Sequence, residues 1–401
     1  MIVLLGTFDT KGVEYAYVRE LLTARGVATW TVDCGVLGLP SCAADVSASE
    51  VASAAGTTLD ALRVTDDRGA AVEAMTRGAV RVLRRMVDEG RVGGILALGG
   101  GGGTTLATAV MRELPVGLPK LMVSTMASGN VAAYVDVKDI TMMYSVVDIA
   151  GLNPLSRRIL ANAAGAIAGM VEQRAPAAAD RPVIAATMFG VTTPCVTTAR
   201  QRLESAGYDV LVFHATGSGG RAMEGLIADG YVSAVLDVTT TEWADEVVGG
   251  VLSAGPARLS AAARRGVPQV VSVGALDMVN FGAAETVPIT FEGRRMYRHN
   301  ATVTLMRTTP EECRVIAHRI ADRLNAATGP VSVVLPLRGV SAIDREGAVF
   351  HDPAADAALF ETLRERLAPR IRVREVDAHI NDPEFSDVLV DELLALMPPM
   401  P

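Results

Sequence analysis

Five consecutive glycines, Gly99 to Gly103, separate an apolar run over 92–98 from a helical run over 106–114. Few features limit a chain more. The apolar run has the length of a strand buried on both faces, as parallel strands are. The glycines carry no Cβ, so several backbone N–H groups can turn toward one point. The helix start adds unpaired N–H groups and the positive end of its dipole. Strand, bare turn, helix is the order expected of a parallel α/β unit with an anion-binding edge. A phosphate is the expected guest of Gly99, Gly100, Gly101, Gly102, Gly103, Thr104 and Thr105. No Gly-Lys-Ser/Thr closes the turn, so it is not a Walker A loop.

The same order opens the chain. Residues 2–5 read as a strand, followed by Gly6-Thr7-Phe8-Asp9-Thr10-Lys11-Gly12. A helix with Tyr15, Val18, Leu21 and Leu22 on one face then runs to Gly26, and 27–32 reads as a second strand. The stretch 40–70 shows no clear period, whereas 70–88 reads as a strong helix. Residues 121–124 form a strand that runs into Thr125-Met126-Ala127-Ser128-Gly129-Asn130, and 139–149 is an apolar segment. Asn153 and Pro154 suit the N-cap and first turn of a helix through 171. Its many Ala and Gly residues imply close packing against a sheet or a partner. The Ala-Pro-rich stretch 173–181 reads as a linker, which gives two domains, 1–178 and 179–401.

After the linker the pattern restarts. Ile2 aligns with Val183, Gly26 with Gly207 and Asp33 with His214, each pair 181 positions apart. Gly94-Ile95-Leu96-Ala97-Leu98 then matches Ala234-Val235-Leu236-Asp237-Val238, and Pro119 to Val123 matches Pro268 to Ser272. Blocks kept in one order favour two similar α/β domains, both Rossmann-like parallel sheets related by an internal repeat. Beyond the repeat, 280–300 reads as loop. Helices are expected over 310–326, 356–367 and 382–397, with strands over 331–335 and 371–376.

Open parallel sheets bind ligands beyond the carboxyl ends of their strands. In the first domain that edge carries Thr7, Asp9 and Lys11, the glycine turn, and Ser124, Ser128, Gly129 and Asn130. Asp9 suits Mg²⁺ and Lys11 suits phosphate, although a capping Asp beside a solvated Lys has the same spelling. In the second domain the edge carries His214 to Arg221, Thr239-Thr240-Thr241-Glu242, Asp277 and, after a later strand, Asp377-Ala378-His379-Ile380-Asn381. His214, Arg221, Glu242, Asp277 and His379 are the catalytic candidates. A histidine beside acids suits proton transfer near neutral pH. Two such edges facing each other would form an interdomain cleft.

Composition narrows the partners. The net charge of −8 and 4% aromatic content leave neither a basic patch nor stacking platforms for nucleic acid. Cys34, Cys42, Cys195 and Cys313 lack the spacing of a metal knuckle or a redox pair and read as reduced thiols. Met1 leads straight into a strand without a basic leader, and no stretch is apolar enough to span a bilayer, so a cytoplasmic protein is expected.

The segments 5–12, 126–130, 138–153, 213–217, 274–282 and 377–381 resemble the Tm-1-like ATP-binding family, also called UPF0261, and the resemblance covers nearly the whole chain. It implies two Rossmann-like subdomains, ATP with Mg²⁺, and a homodimer. Plant members carry a TIM-barrel-like domain in the same chain, so here a barrel-like partner would be a separate protein or absent. The expectation is an ATP-dependent enzyme, a ligase or phosphotransferase, acting on a small carboxylate- or hydroxyl-bearing metabolite. The alternatives are a nucleotide-binding scaffold without turnover, and a lyase or hydrolase that uses no nucleotide.

Overall fold

The structure is a computed structural model, described over residues 1–65, 67–173 and 181–398. The chain divides into two compact units, Met1–Ala178 and Ala179–Pro401. The expected linker falls mostly at 174–180, outside the described residues.

The first unit runs β1 (Ile2–Gly6), α1 (Phe8–Ala24), β2 (Thr29–Asp33), α2 (Ala48–Ala54), α3 (Leu59–Val64), α4 (Arg68–Asp88), β3 (Gly94–Gly99), α5 (Gly101–Arg112), β4 (Lys120–Ser124), α6 (Ala132–Val135), β5 (Thr141–Tyr144) and α7 (Pro154–Glu172). Its five strands are all parallel, in the order β2-β1-β3-β4-β5. Alternate side chains explain the layers. Ile2, Leu4, Leu96, Leu98, Leu121 and Val123 point to one face, under α1 and α7. Val3, Leu5, Ile95, Ala97 and Met122 point to the other, under α2, α4 and α5. Both faces are covered, so the strands read as unbroken apolar runs. Ala163, Ala164 and Ala168 of the small-residue helix α7 pack on this sheet.

The second unit runs β6 (Val183–Met188), α8 (Thr193–Ser205), β7 (Asp209–His214), α9 (Ser218–Asp229), β8 (Ala234–Thr239), α10 (Glu242–Val248), α11 (Ala261–Arg265), β9 (Gln269–Gly274), β10 (Met278–Phe281), β11 (Met296–Arg298), β12 (Thr304–Arg307), α12 (Pro310–Asn325), β13 (Val331–Pro336), α13 (Pro353–Arg366), β14 (Arg372–Val376) and α14 (Pro383–Leu396). Six parallel strands lie in the order β7-β6-β8-β9-β13-β14. Helices α8 and α14 cover one face; α9, α11, α12 and α13 cover the other. The first four strands of each unit thus share one order, with β1, β2, β3 and β4 matching β6, β7, β8 and β9. Each sheet reverses its winding between the first and third of these strands, and ligands of such folds bind at that switch point.

Three expectations are corrected. The stretch 40–70 holds two short helices, α2 and α3, and α2 opens on a capping box made by Ser47 and Glu50. Residues 280–300 are not all loop, because β11 and the end of β10 fall there and join β12 in an antiparallel sheet. Its Met278, Tyr297, Val303 and Leu305 pack on Phe189, Val191, Ala275, Ile343 and Phe350 from the loops beyond β6, β9 and β13. The glycines are not a free loop either. Gly99 ends β3, paired with Ser124, Gly100 is the N-cap, and Gly101 to Gly103 form the first turn of α5. Burial of Leu106, Ala107, Val110 and Met111 outweighs the poor helix propensity of glycine there.

Candidate functional site

At the switch point of the first unit, β1 and β3 are prised apart by a side chain. Tyr15 of α1 accepts a hydrogen bond from the Leu98 N–H at 2.7 Å and donates to the Leu5 carbonyl at 2.5 Å. A Cβ on Gly6 would lie 2.1 Å from the Tyr15 hydroxyl, so only glycine fits there. Burial pushes this phenol well above its usual pKa, which keeps it a neutral donor. Beyond the gap, the turns after β1, β2 and β3 meet α3 and α4 around a cavity of about 790 Å³.

One wall of the cavity is polar. No side chain caps α5, and the N–H groups of Gly101, Gly102 and Gly103 have no partner among the described residues. A Cβ on Gly101 would meet nothing within 4 Å, whereas one on Gly102 would lie 3.0 Å from the Arg68 guanidinium. Arg68, at the start of α4, therefore brings its guanidinium to the glycine turn. It makes no hydrogen bond or ion pair among the described residues. Lys11 also lines the cavity, but its Nζ donates to the Ile149 carbonyl. Its own backbone, at φ −133° and ψ 19°, breaks α1 after the first turn. Thr7 and Thr10 share a hydroxyl–hydroxyl bond of 2.8 Å.

Asp9 has two dissimilar oxygens. Oδ2 accepts from the Leu37 and Gly38 N–H groups at 2.9 and 3.3 Å, holding the turn after β2. Oδ1 is buried and has no partner among the described residues. The apolar part of the lining comes from Val36, Leu62, Ala71, Val72, Met75 and Leu106.

Of the binding residues expected from sequence, Thr7, Asp9, Lys11 and Gly100 to Gly103 therefore line one cavity. Gly99, Thr104 and Ser124 stand behind it. Thr104 and Ser124 are fully buried and bonded to each other at 2.6 Å, and Thr105 bonds back to the Gly101 carbonyl at 3.0 Å. Ser128, Gly129 and Asn130 are exposed and line no part of this cavity; Asn130 Oδ1 accepts from the Ala132 N–H. Sequence reasoning missed Tyr15 and Arg68. The signal for Arg68 was Asp67, which N-caps a strongly periodic helix and so places the next residue at a helix start.

The second unit meets its own switch point with side chains turned inward. Glu242 is 1% exposed. Its Oε1 accepts from the Gly217 and Gly220 N–H groups at 2.7 and 3.0 Å, and its Oε2 from Arg258 Nε at 2.7 Å. The start of α9, an anion-binding candidate by sequence, thus holds the protein's own carboxylate. Arg258 also forks onto Asp237 at 2.5 and 2.7 Å, and reaches Glu224 at 3.4 Å. Thr239 and Thr240 are buried and bonded internally. His214 and Arg221 are exposed; His214 stacks near Phe189, and Arg221 donates to the Ser253 carbonyl.

Asp277 and His379 come together at one residue the sequence did not single out. Ser341 Oγ donates to Asp277 Oδ2 at 2.8 Å, and His379 Nε2 lies 2.8 Å from the Ser341 carbonyl. The Asn381 N–H donates to His379 Nδ1, so the proton sits on Nε2. Asp277 is buried, with Asp344 and Arg307 as charged neighbours. Desolvation first, then repulsion from Asp344, push its carboxyl up to about 7. Asp356, bonded to Arg307 at 2.7 Å, is pushed to about 8 for the same two reasons.

The four cysteines are unpaired, and burial lifts the thiols of Cys34, Cys195 and Cys313, with Cys195 reaching about 12. No helix among the described residues is long and apolar enough to cross a membrane.

Residues 1–176 match the N-terminal domain, and residues 181–397 the C-terminal domain, of an uncharacterised protein family, UPF0261. A UPF0261 protein of Clostridium tetani is 51% identical over 398 residues, spanning 99% of this chain and 98% of its own. UPF0261 protein RA0729 of Rhizobium meliloti is 52% identical, spanning 97% of each chain. The ToMV resistance protein Tm-1(GCR237) of Solanum lycopersicum is 45% identical over 341 residues. The match takes in 83% of this chain but 45% of that protein.

Proposed function

From the premise that the chain belongs to the UPF0261 family, we propose that its first unit binds a nucleotide by the phosphates, with ATP and Mg²⁺ as the physiological pair. The observation that carries this reading is the uncapped start of α5. Three adjacent N–H groups open onto a cavity that also receives the guanidinium of Arg68. Backbone donors, a helix dipole and a forked cation converging on one point suit a polyphosphate.

The residues also suit the metal. Mg²⁺ commonly takes one or two carboxylate oxygens, phosphate oxygens and waters, and the orphaned Asp9 Oδ1 is such an oxygen. Bound Mg·ATP would supply an activated phosphoryl group to an acceptor. The chain's own part is to fix the phosphates and neutralise their charge through Gly101 to Gly103 and Arg68. We assign the protein to ATP-dependent ligases or phosphotransferases acting on a small carboxylate- or hydroxyl-bearing metabolite. On the second unit both ring nitrogens of His379 are engaged, by the Ser341 carbonyl and the Asn381 N–H, and Asp277 is held by Ser341 Oγ, so this reading gives neither residue a chemical step. Glu242 serves the fold by holding the start of α9. The homodimer belongs to the same proposal and is measured by light scattering on the eluting protein.

Titration calorimetry with Mg·ATP tests the reading. Binding is expected, and Arg68→Ala should weaken it at least about tenfold, the loss of one charge-assisted pair of about 1.4 kcal/mol, with the melting temperature unchanged. No heat of binding to the intact chain would contradict it.

A further inference from the structure

A carboxylate beside a phosphate site needs a reason, because like charges repel. Asp67 is such a carboxylate. It lines the cavity of the first unit and directly precedes Arg68, whose guanidinium reaches the glycine turn. We propose that Asp67 accepts hydrogen bonds from the ribose 2′- and 3′-hydroxyls of the bound nucleotide. The proposal rests on the nucleotide reading above.

Among the described residues the lining holds two carboxylates, Asp9 and Asp67. Asp9 is spoken for: Oδ2 holds the Leu37 and Gly38 N–H groups, and Oδ1 faces the metal in this reading. Asp67 divides differently. Its Oδ1 accepts from the Ala70 N–H at 3.0 Å as the cap of α4, and its Oδ2 makes no hydrogen bond or ion pair among the described residues. An ionised carboxylate oxygen only accepts, so its partner must be a donor. A polyphosphate offers none. The ribose diol offers two, on an uncharged group joined directly to the phosphates. Asp67 and Arg68 are consecutive, with Cα atoms about 3.8 Å apart. Acid then cation along the chain thus meets sugar then phosphate along the ligand.

In dinucleotide-binding folds an acid beyond the first βα unit bonds the ribose. The acid in that place here is Asp33, at the end of β2, and it is withdrawn. It is 2% exposed, its Oδ1 accepts from the Phe8 and Gly35 N–H groups at 2.9 and 2.8 Å, and it lines no part of the cavity. Asp67 supplies the missing acceptor from the neighbouring helix start.

Calorimetry on the full chain with Mg²⁺ compares ATP with 2′,3′-dideoxyATP. The dideoxy nucleotide should bind at least about fivefold more weakly, a loss of about 1 kcal/mol. Asp67→Asn keeps an oxygen to cap α4 but loses the second acceptor. In that variant the ratio of the two dissociation constants should fall to within about twofold of unity, which removes any effect of the lost charge common to both ligands. Asp67→Ser, an equally good cap, should do the same. Equal binding of the two nucleotides by the intact chain overturns the proposal and leaves the nucleotide reading standing. So does a ratio that survives both substitutions, which would give the diol to another group such as Thr7 or Thr10. Loss of both nucleotides in variants with an unchanged melting temperature also overturns it, since Asp67 would then serve binding at large. Failure of both nucleotides to bind the intact chain overturns the proposal together with the reading beneath it.

Discussion

Arg258 sets the residue scale of this molecule. It is 1% exposed and faces Asp237, Glu242 and Glu224. Three carboxylates around one guanidinium hold only while that guanidinium is present. Removing one partner from a buried ion cluster costs about 3–5 kcal/mol, because the remaining charges stay buried without compensation. Arg258→Ala should lower the unfolding free energy of the second unit by that amount in urea titrations; a loss under about 1 kcal/mol would show that the network relaxes or admits water. Glu242 was legible as a carboxylate at a strand end, which is why sequence alone offered it as catalytic. Its partner lies sixteen positions away in the chain, beyond any local pattern, and only the fold reveals that the carboxylate is spoken for. Asp9 was legible in the same way, but its division into one committed and one orphaned oxygen was not.

At the scale of elements, legibility followed burial. The parallel strands are covered on both faces, so their sequences are unbroken apolar runs, and most were found to within a residue or two. Strands β10, β11 and β12 are only three or four residues long and pack on loops, so no alternation could accumulate. Helices α2 and α3 are six or seven residues long, too short for a period, although Ser47 and Glu50 spelled the start of α2. The glycine run misled in one respect: it reads as loop, yet its second half is helix. The turn after β2 is the element most directly coupled to the cavity. Leu37 and Leu39 on it are 84% and 90% exposed, and Asp9 holds it through two backbone N–H groups. Asp9→Ala should free this turn, seen as faster limited proteolysis within 35–41 at an unchanged melting temperature. An unchanged cleavage rate would show that Arg63 and Ser41, which also tie the turn, suffice without it.

For the whole molecule, the repeat was the most legible feature, because both units place equivalent strands in the same order around a switch point. Each unit buries carboxyls whose pKa burial raises, Asp33 in the first unit among them, but those pushed to near neutral lie in the second. The second unit buries carboxyls whose folded-state pKa is raised: Asp245 and Asp277 to about 7, Asp356 to about 8. Such a group binds its proton more tightly when folded than when unfolded. Its stabilisation is full below the usual value of 3.8 and is lost as pH rises through 7 to 8. Each such group changes stability by up to about 1.4 kcal/mol per pH unit inside that window. The second unit should therefore melt at a lower temperature at pH 8 than at pH 5.5, and Asp277→Asn should flatten the difference. A melting temperature that rises over that interval would contradict these assignments. The first unit carries the central claim, that a nucleotide phosphate sits on the N–H groups of Gly101 to Gly103. Hydrogen exchange of the peptide spanning 98–106, with and without Mg·ATP, tests it most directly. Slower exchange of those amides on adding Mg·ATP is the predicted result; unchanged exchange there, while ATP is bound at saturation, would place the nucleotide elsewhere.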